Sequence, residues 1–379
     1  MIYDKPYKNT QELITILESR NLNFNNMGFA SDILNTVGYY DLINAYKKYF
    51  YKNLDPEEYK DGLNFEYLYA FYYIDKDFQN VLLNAILLVE NIFKNRISQV
   101  ISQKYGVDKS QYLATKVFQN ISIKINNKKV HSNTFIRDIY NEKVNSPNKC
   151  DAITHYKNNH NHIPPWILFK DFTFMEIINF YRFLNKNDQQ EIAELMIKTN
   201  IPANKKVGLL KKMLHVLRKS RNTIAHNNLF IGKNHKIDIT NTEINTMLPP
   251  VLKIVSGYQN SKYYLICFIV ILLDVDILKR YFIAKIRRMI AYNEKSVSSV
   301  DILNKYYKYL GLPSDFTIII ENYFNELNNK NSELIKGNKR RKIYHLQNGI
   351  YYNQLAASNT IYFKDEKEAI SYGYRKSKK

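Results

Sequence analysis

One segment, residues 64–104, limits the fold of this chain more than any other. It contains no glycine or proline, and apolar residues occupy most of its circumference when it is drawn as an α-helix. A helix that is apolar on nearly all sides has to be surrounded by other elements. Only 11 glycines and 9 prolines occur in the 379 residues, so long helical segments dominate the chain. The sequence therefore predicts an all-α fold, a helical bundle with this segment at its centre.

Two further segments have clear helical patterns. Residues 10–20 place apolar side chains on one helical face, and Thr10 stands where an N-cap residue is expected. Residues 263–273 form the most apolar run of the chain, but eleven residues are too few to span a bilayer. We expect this run to be a buried helix, and we expect no membrane among the partners.

The end of the chain changes character. Residues 331–379 contain a basic run and an Asn-Gly pair at 348–349, which is typical of a β-hairpin turn. A strand and a short helix capped near Asp365 follow. The sequence predicts a small basic α+β appendage here, after a helical domain over residues 1–235 and a helical extension over residues 236–330.

The charge balance points to a polyanionic partner. The chain has 55 Lys and Arg against 35 Asp and Glu, a formal net charge of +20. Nucleic acid is the first candidate for such a chain, and an anionic membrane surface is the second. The abundance of Lys, Asn, Ile and Tyr is also typical of an AT-rich genome, which would explain part of the lysine excess without any function.

Cysteine and histidine usage gives no sign of a metal or a cofactor. The only cysteines, Cys150 and Cys267, lack metal-ligand spacing, and His155, His160 and His162 have no acidic or cysteine partner at suitable spacing. We therefore expect no metal and no cofactor. The first residues lack an apolar signal core, which indicates a cytoplasmic protein.

The chemistry-bearing motif is Arg-Asn-x-x-x-His, formed by Arg221, Asn222 and His226 at the end of an amphipathic helical segment. RNA is cleaved without a metal when its 2′-hydroxyl attacks the neighbouring phosphate. That reaction needs a base that titrates near neutral pH, as histidine does, and a cation for the developing negative charge. Arginine supplies this cation as a planar fork. The motif predicts Arg221 and His226 as a catalytic pair, with Asn222 orienting the imidazole or the substrate.

The same residues have a purely structural interpretation. Arg221 could bond carbonyl groups at the helix end, and His226 could cap the helix, where the helix dipole favours a cation. Arg221 and His226 are also five residues apart, about 140° around an ideal helix, so the arginine side chain has to curl to reach the same cleft.

Several basic residues are candidates for binding RNA phosphates without reading sequence. Four lie beside the motif and two lie in the C-terminal appendage: Lys211, Lys212, Arg218, Lys219, Arg340 and Arg341. The alternative for each is an ordinary solvated surface position.

Several stretches, read in order, resemble one known family. They are KPYKNTQELITILESRNL, VGYYDLINAYKKYF, the long segment ending in VENIFKNRI, IPPWILFKDFTFMEIINFY and RNTIAH, and together they cover roughly residues 5–230. This series resembles the Abi-like proteins of the AbiD/AbiF type, abortive-infection factors of the HEPN superfamily. In that family two copies pair so that both Arg-His sets face one groove.

The resemblance implies a HEPN-type helical bundle, an RNA-cleaving toxin of phage defence, a homodimer, and control by a partner that in some cases is a structured non-coding RNA. It also implies that Glu90 faces the cleft and orients Arg221, although Glu90 and Lys94 could equally form a simple ion pair. This chain departs from the family in having Lys94 where arginine is usual and no arginine soon after His226.

Two other functions remain as alternatives. A basic helical protein of this kind could hold a structured RNA without cutting it, in which case loss of His226 would be tolerated. A DNA-binding regulator is the third interpretation, although the sequence contains no clear helix-turn-helix.

Overall fold

A computed structural model gives the fold of the chain. It describes residues 5–147, 149–199, 201–232, 238–254, 261–273, 275–296, 300–332, 335–347, 349–352, 354–355 and 359–377. The first part contains helices α1 (Thr10–Ser19), α2 (Met27–Val37) and α3 (Lys47–Phe50), a π-helical turn (Tyr40–Asn44), strands β1 (Tyr51–Leu54) and β2 (Glu57–Tyr59), and helix α4 (Phe65–Tyr105).

The middle part contains α5 (Lys109–Tyr112), β3 (Ser122–Ile125), β4 (Lys128–His131), α6 (Ser132–Asn145), α7 (Asp151–Asn159), α8 (Pro165–Leu168), α9 (Phe174–Phe183), α10 (Lys186–Met196) and α11 (Ala203–Ala225). Among the described residues, 3-10 turns lie at Thr115–Val117, Phe169–Asp171 and Pro250–Leu252.

The last part contains α12 (Asn241–Asn245), α13 (Lys262–Leu272), α14 (Asp276–Ser296), α15 (Val300–Leu310), α16 (Phe316–Ser332), β5 (Ile335–Asn338), β6 (Ile343–His345), β7 (Thr360–Phe363), α17 (Glu366–Ser371) and β8 (Arg375–Lys376). The prediction of a mainly helical fold with a small C-terminal α+β unit is confirmed.

Helix α4 lies at the centre of the helical body, as its sequence predicts. Buried side chains recur along its whole length, from Phe65 to Ile101. It packs against α8, α10 and α11 and also against α13, α14 and α15. The apolar circumference of this segment therefore follows from its having neighbours on nearly every side.

Two small hairpins inside the helical body were not predicted. Strands β1 and β2 pair antiparallel, and so do β3 and β4. Asn126 and Asn127, which join β3 to β4, both have positive φ angles, 47° and 65°. Consecutive left-handed residues make the tight turn that matches strand twist, and asparagine tolerates this conformation. The polar Asn-Lys run was therefore a turn signal.

The sequence predicts Thr10 as the N-cap of α1, but the structure shows Asn9 in that position. The Asn9 side chain accepts a hydrogen bond from the backbone N–H of Glu12 at 3.0 Å, and the Glu12 carboxylate accepts one from the Asn9 N–H at 2.7 Å. This reciprocal pair satisfies two N–H groups that the first turn leaves without helical partners.

The apolar core is continuous through most of the chain. One cluster of buried side chains runs from Ile14 to Leu327 and includes every residue of α13 after Lys262, confirming the predicted buried helix. The core does not distinguish residues 1–235 from residues 236–330, and that boundary stays a prediction.

A buried carboxylate joins an early and a late segment of the chain inside this core. Asp75 on α4 has no solvent exposure, and its oxygens accept hydrogen bonds from the hydroxyls of Tyr46 and Tyr306 at 2.6 and 3.0 Å and from the Gln79 amide at 2.7 Å. Burial raises the pKa of Asp75, while the bonds from the three donors act in the opposite direction. Tyr46 precedes α3 and Tyr306 lies on α15, so the network spans 260 residues of sequence.

The C-terminal unit has its own small core. The strands that the structure describes here are ordered β7-β5-β6-β8, and α17 packs on β5 and β7. The core consists of Ile335, Tyr344, Phe363, Ala369 and Tyr374. The Asp365 side chain caps α17, as predicted.

The hairpin of this unit is not where the Asn-Gly pair predicts it. The described turn joins β5 to β6 through residues 339–342. Asn348 lies outside the described residues, and Gly349 to Tyr352, which follow it, form bends and turns.

Candidate functional site

Helix α11 carries the Arg-Asn-x-x-x-His motif and is held by one apolar face. The buried side chains on that face include Leu209, Leu210, Met213, Leu214 and Leu217. It packs against α4, α9, α10 and α13. The opposite face is polar, so the motif residues approach the surface at the C-terminal end of a well-anchored helix.

The helix ends at His226 because the next residue turns left-handed. Asn227 has a φ of 54°. The N–H groups of Asn227 and Asn228 donate to the carbonyls of Ile224 and Thr223, both at 3.0 Å. This is the double hydrogen bond of a Schellman motif, which satisfies the last helical carbonyls. The His226 side chain is exposed, and none of the described residues forms a hydrogen bond with its imidazole.

We expect replacements of Asn227 to separate backbone from side-chain effects. Asn227→Gly should leave the free energy of unfolding within about 0.5 kcal/mol of the original, because glycine adopts the left-handed region freely. Asn227→Ala should lower it by about 1 kcal/mol, since alanine is strained there. Urea unfolding of both variants measures the difference, and equal values for the two would contradict this account of the helix end.

His226 lies on a pocket of about 600 Å³ formed with the start of the chain. Tyr40, Asp41, Lys48 and Lys76 also line it. Tyr40 is 75% exposed, so an aromatic side chain is open to solvent on the same pocket as the imidazole. Lysine and aromatic side chains of this kind suit phosphates and unstacked bases.

Lys76 and Asp41 hold Asn227, the residue that follows His226. The Lys76 ammonium donates to the Asn227 carbonyl at 3.4 Å and lies 5.4 Å from the centre of the Tyr72 ring. Burial lowers the pKa of Lys76, an effect that the charges of Asp75 and Asp41 partly offset. The Asn227 amide contacts the Asp41 carboxylate at 3.5 Å. Sequence reasoning missed these residues, because they lie 151 and 186 positions from Asn227 along the chain.

Arg221 does not line the pocket that contains His226. It is half-buried, and its Nη1 donates to the Asn222 side-chain oxygen at 3.3 Å. Its Nε is buried and has no hydrogen-bond partner among the described residues. A single chain thus has the motif residues on one helix end, but with the arginine outside the pocket of the histidine.

Glu90 and Lys94 form an ion pair within α4, with 2.9 Å between Oε1 and Nζ. Lys94 also donates to the Phe172 carbonyl at 2.5 Å. The second Glu90 oxygen, Oε2, is buried and has no hydrogen-bond partner among the described residues. Neither residue forms an ion pair or hydrogen bond with Arg221 in the part of the chain that the structure describes.

Two of the four predicted RNA-binding residues of α11 have polar partners within the chain, and two have none among the described residues. The Lys211 ammonium donates to the Gln189 side-chain oxygen at 2.6 Å. The Lys212 ammonium forms an ion pair with the Asp238 carboxylate, with 3.3 Å between Nζ and Oδ2. Arg218 and Lys219 form no ion pair or hydrogen bond with any described residue. Arg218 and Lys219 are therefore the free cations of this set.

Arg340 and Arg341 lie in the exposed turn between β5 and β6. Their backbone N–H groups donate to the Asn338 side-chain oxygen at 3.1 and 2.9 Å. The turn is thereby fixed, and both arginines are exposed on the C-terminal unit.

Comparisons with known proteins identify a family model that matches the chain. A family model described as Abi-like protein matches residues 32–231, slightly more than half of the chain, and this range includes the motif and the residues of the His226 pocket apart from Gly232. No curated protein and no solved structure matches the chain significantly. In the described residues, no helix has the length and apolarity needed to cross a membrane.

Proposed function

The chain belongs to the Abi-like protein family, and from this premise we propose that it is a metal-independent endoribonuclease of the HEPN type. The family associates it with abortive infection, a form of bacterial phage defence. In our proposal it acts there as a cytoplasmic toxin that cleaves RNA. The observation that carries the proposal is the exposed imidazole of His226, which lines a pocket together with lysines and has no hydrogen-bond partner among the described residues.

The proposed reaction needs two proton transfers and one cation. His226 accepts the proton of the RNA 2′-hydroxyl, whose oxygen then bonds to the adjacent phosphorus. The bond from phosphorus to the 5′-oxygen breaks, and that oxygen takes a proton from a second imidazole or from water. Arg221 binds the phosphate oxygens on which charge accumulates, and Asn222 orients the imidazole or the phosphate. The products are a 2′,3′-cyclic phosphate and a 5′-hydroxyl.

The separation of Arg221 from the His226 pocket favours a homodimer as the active form. Within one chain the arginine does not line that pocket, and its guanidinium donates to the Asn222 side chain. In our proposal a second copy therefore completes the pair around a phosphate. Two copies that meet at the C-terminal ends of their α11 helices would place two arginines and two histidines around one groove. The second His226 would then supply the proton for the leaving oxygen.

Lys48 and Lys76 would bind the RNA on either side of the cleaved bond. Both lie on the His226 pocket, and Lys48 is exposed. Contacts of this type position the substrate without reading its sequence.

The test is cleavage of end-labelled RNA by the purified protein with EDTA present. We expect cutting that EDTA does not inhibit, and products that carry 2′,3′-cyclic phosphate and 5′-hydroxyl ends. Inhibition by EDTA, or products with 3′-hydroxyl and 5′-phosphate ends, would rule out the proposed mechanism.

A non-catalytic function is the second candidate, favoured by the same separation of Arg221 from His226. In that case the cations of α11 and the C-terminal unit would hold a structured non-coding RNA, and both motif residues would serve as phosphate contacts. RNA that co-purifies uncut with the protein, and equally with its His226→Ala variant, would support this candidate.

A further inference from the structure

A second pocket lies further up α11, where this helix packs against α9. Its volume is about 470 Å³. Met175, Ile178 and Val216 give it an apolar side, and Arg182, His215 and Arg218 line it with cationic or ionisable groups. It has no lining residue in common with the pocket of His226.

Positive charge in this second pocket is poorly compensated. Its ionisable lining residues are Lys124, Arg182, Lys211, Lys212, His215, Arg218 and Asp238. Asp238, the one acidic residue in this set, is paired with Lys212. Arg182 donates to the Asn179 side chain at 2.9 Å, a neutral acceptor, and has no acidic partner among the described residues.

The surroundings of this pocket disfavour the protonated, positively charged form of its basic side chains. Burial lowers the pKa of Arg182 and that of Arg218. Partial burial, followed by the charges of Lys219, Arg218 and Arg182, lowers the pKa of His215. Burial and then Arg182 lower the pKa of Lys211. An anion placed among these groups would relieve repulsion that the protein leaves in place.

We propose that this pocket binds a nucleotide, with the phosphate between Arg182, His215 and Arg218 and the base against Met175, Ile178 and Val216. Guanidinium groups suit phosphate oxygens because they offer several donors in one plane. An adjacent apolar wall suits a base or a sugar. A simple inorganic anion would use only the basic half of the pocket.

The pocket lies on the same polar stripe of α11 as the motif. His215, Lys219, Asn222 and His226 follow one another at intervals of four, three and four residues, the spacing of a single helical face. The eleven residues from His215 to His226 rise by about 16 Å. The nucleotide is therefore either part of an RNA chain that also reaches His226, or a free nucleotide bound beside it.

The experiment measures binding to the His226→Ala chain, so that it does not depend on the proposed cleavage. Calorimetry measures the affinity for 5′-AMP, and fluorescence anisotropy measures the affinity for a short single-stranded RNA. Both affinities are measured for the His226→Ala chain and for the pocket variant, which carries Arg182→Gln and Arg218→Gln in addition. Arg137→Ala with Lys308→Ala is the matched control, since it removes two exposed cations elsewhere.

We expect the pocket variant to lose at least about tenfold in affinity for one probe or both, and the control to change by less than about twofold. Loss for 5′-AMP, with or without loss for RNA, identifies a free-nucleotide site, and loss for RNA alone identifies part of the RNA path. The proposal would be overturned if the pocket variant bound both probes as tightly as the His226→Ala chain. It would also be overturned if the His226→Ala chain bound neither probe. If the double variant unfolds, His215→Glu, whose side chain reaches solvent, is measured against the same expectations.

Discussion

His226→Ala should slow RNA cleavage by about 100- to 10,000-fold, the range that a general acid or base contributes. The folded state should be unaffected, because the imidazole is exposed and backbone N–H groups complete the helix end without it. The measurement is the initial rate of cleavage of end-labelled RNA at equal protein concentration. The midpoint of thermal unfolding is recorded for each variant.

The control for this prediction is His160→Ala, since His160 is an exposed histidine away from α11. It should cleave at the original rate. Arg221→Lys adds a second comparison: it keeps the charge but loses the planar fork, so we expect substantial loss of activity despite an intact charge balance. A His226→Ala protein that cuts as fast as the original would remove His226 from the mechanism.

Asp75→Ala should lower the free energy of unfolding by about 3–5 kcal/mol. The carboxylate is buried on α4, and its removal leaves the hydroxyls of Tyr46 and Tyr306 and the Gln79 amide without an acceptor inside the core. Each unpaired buried donor costs about 1–3 kcal/mol, and the side chain also leaves a cavity. Denaturant unfolding measures the loss.

Two substitutions calibrate this result. Asp75→Asn keeps the shape and one accepting oxygen, so it should cost less than Asp75→Ala. Asp138→Ala removes an exposed carboxylate that pairs with the neighbouring Arg137, and should change stability by no more than about 0.5 kcal/mol. If Asp75→Ala were as mild as Asp138→Ala, the buried network would contribute nothing to holding the two ends of the core together.

The parts of the fold that the sequence predicted well are those dominated by local periodicity. Helices α4, α11 and α13 each repeat apolar residues in a way that depends only on neighbours along the helix. The α17 cap at Asp365 is local too. The turn at Asn126 and Asn127 is just as local, because it depends on two consecutive left-handed asparagines, yet no hairpin was predicted there.

The candidate site was only partly predictable, because its parts come from distant segments. The motif identifies His226, yet the residues around it, Tyr40, Asp41 and Lys76, are brought there by the packing of α4 against α11 and the start of the chain. No spacing rule connects them. The angle of about 140° between Arg221 and His226 indicated a difficulty in uniting the pair, and in the structure Arg221 lies outside the histidine's pocket.

The way in which α13, α14 and α15 enclose α4 has a consequence for how the protein is made. A ribosome that has synthesised residues 1–235 has produced the motif, but the helices that cover one side of α4 do not yet exist. Tyr306, which bonds to Asp75, leaves the exit tunnel later still. During this interval the motif has been synthesised, but α4 is not yet enclosed by the later helices. The fold around the motif is therefore completed only after the motif itself has been translated.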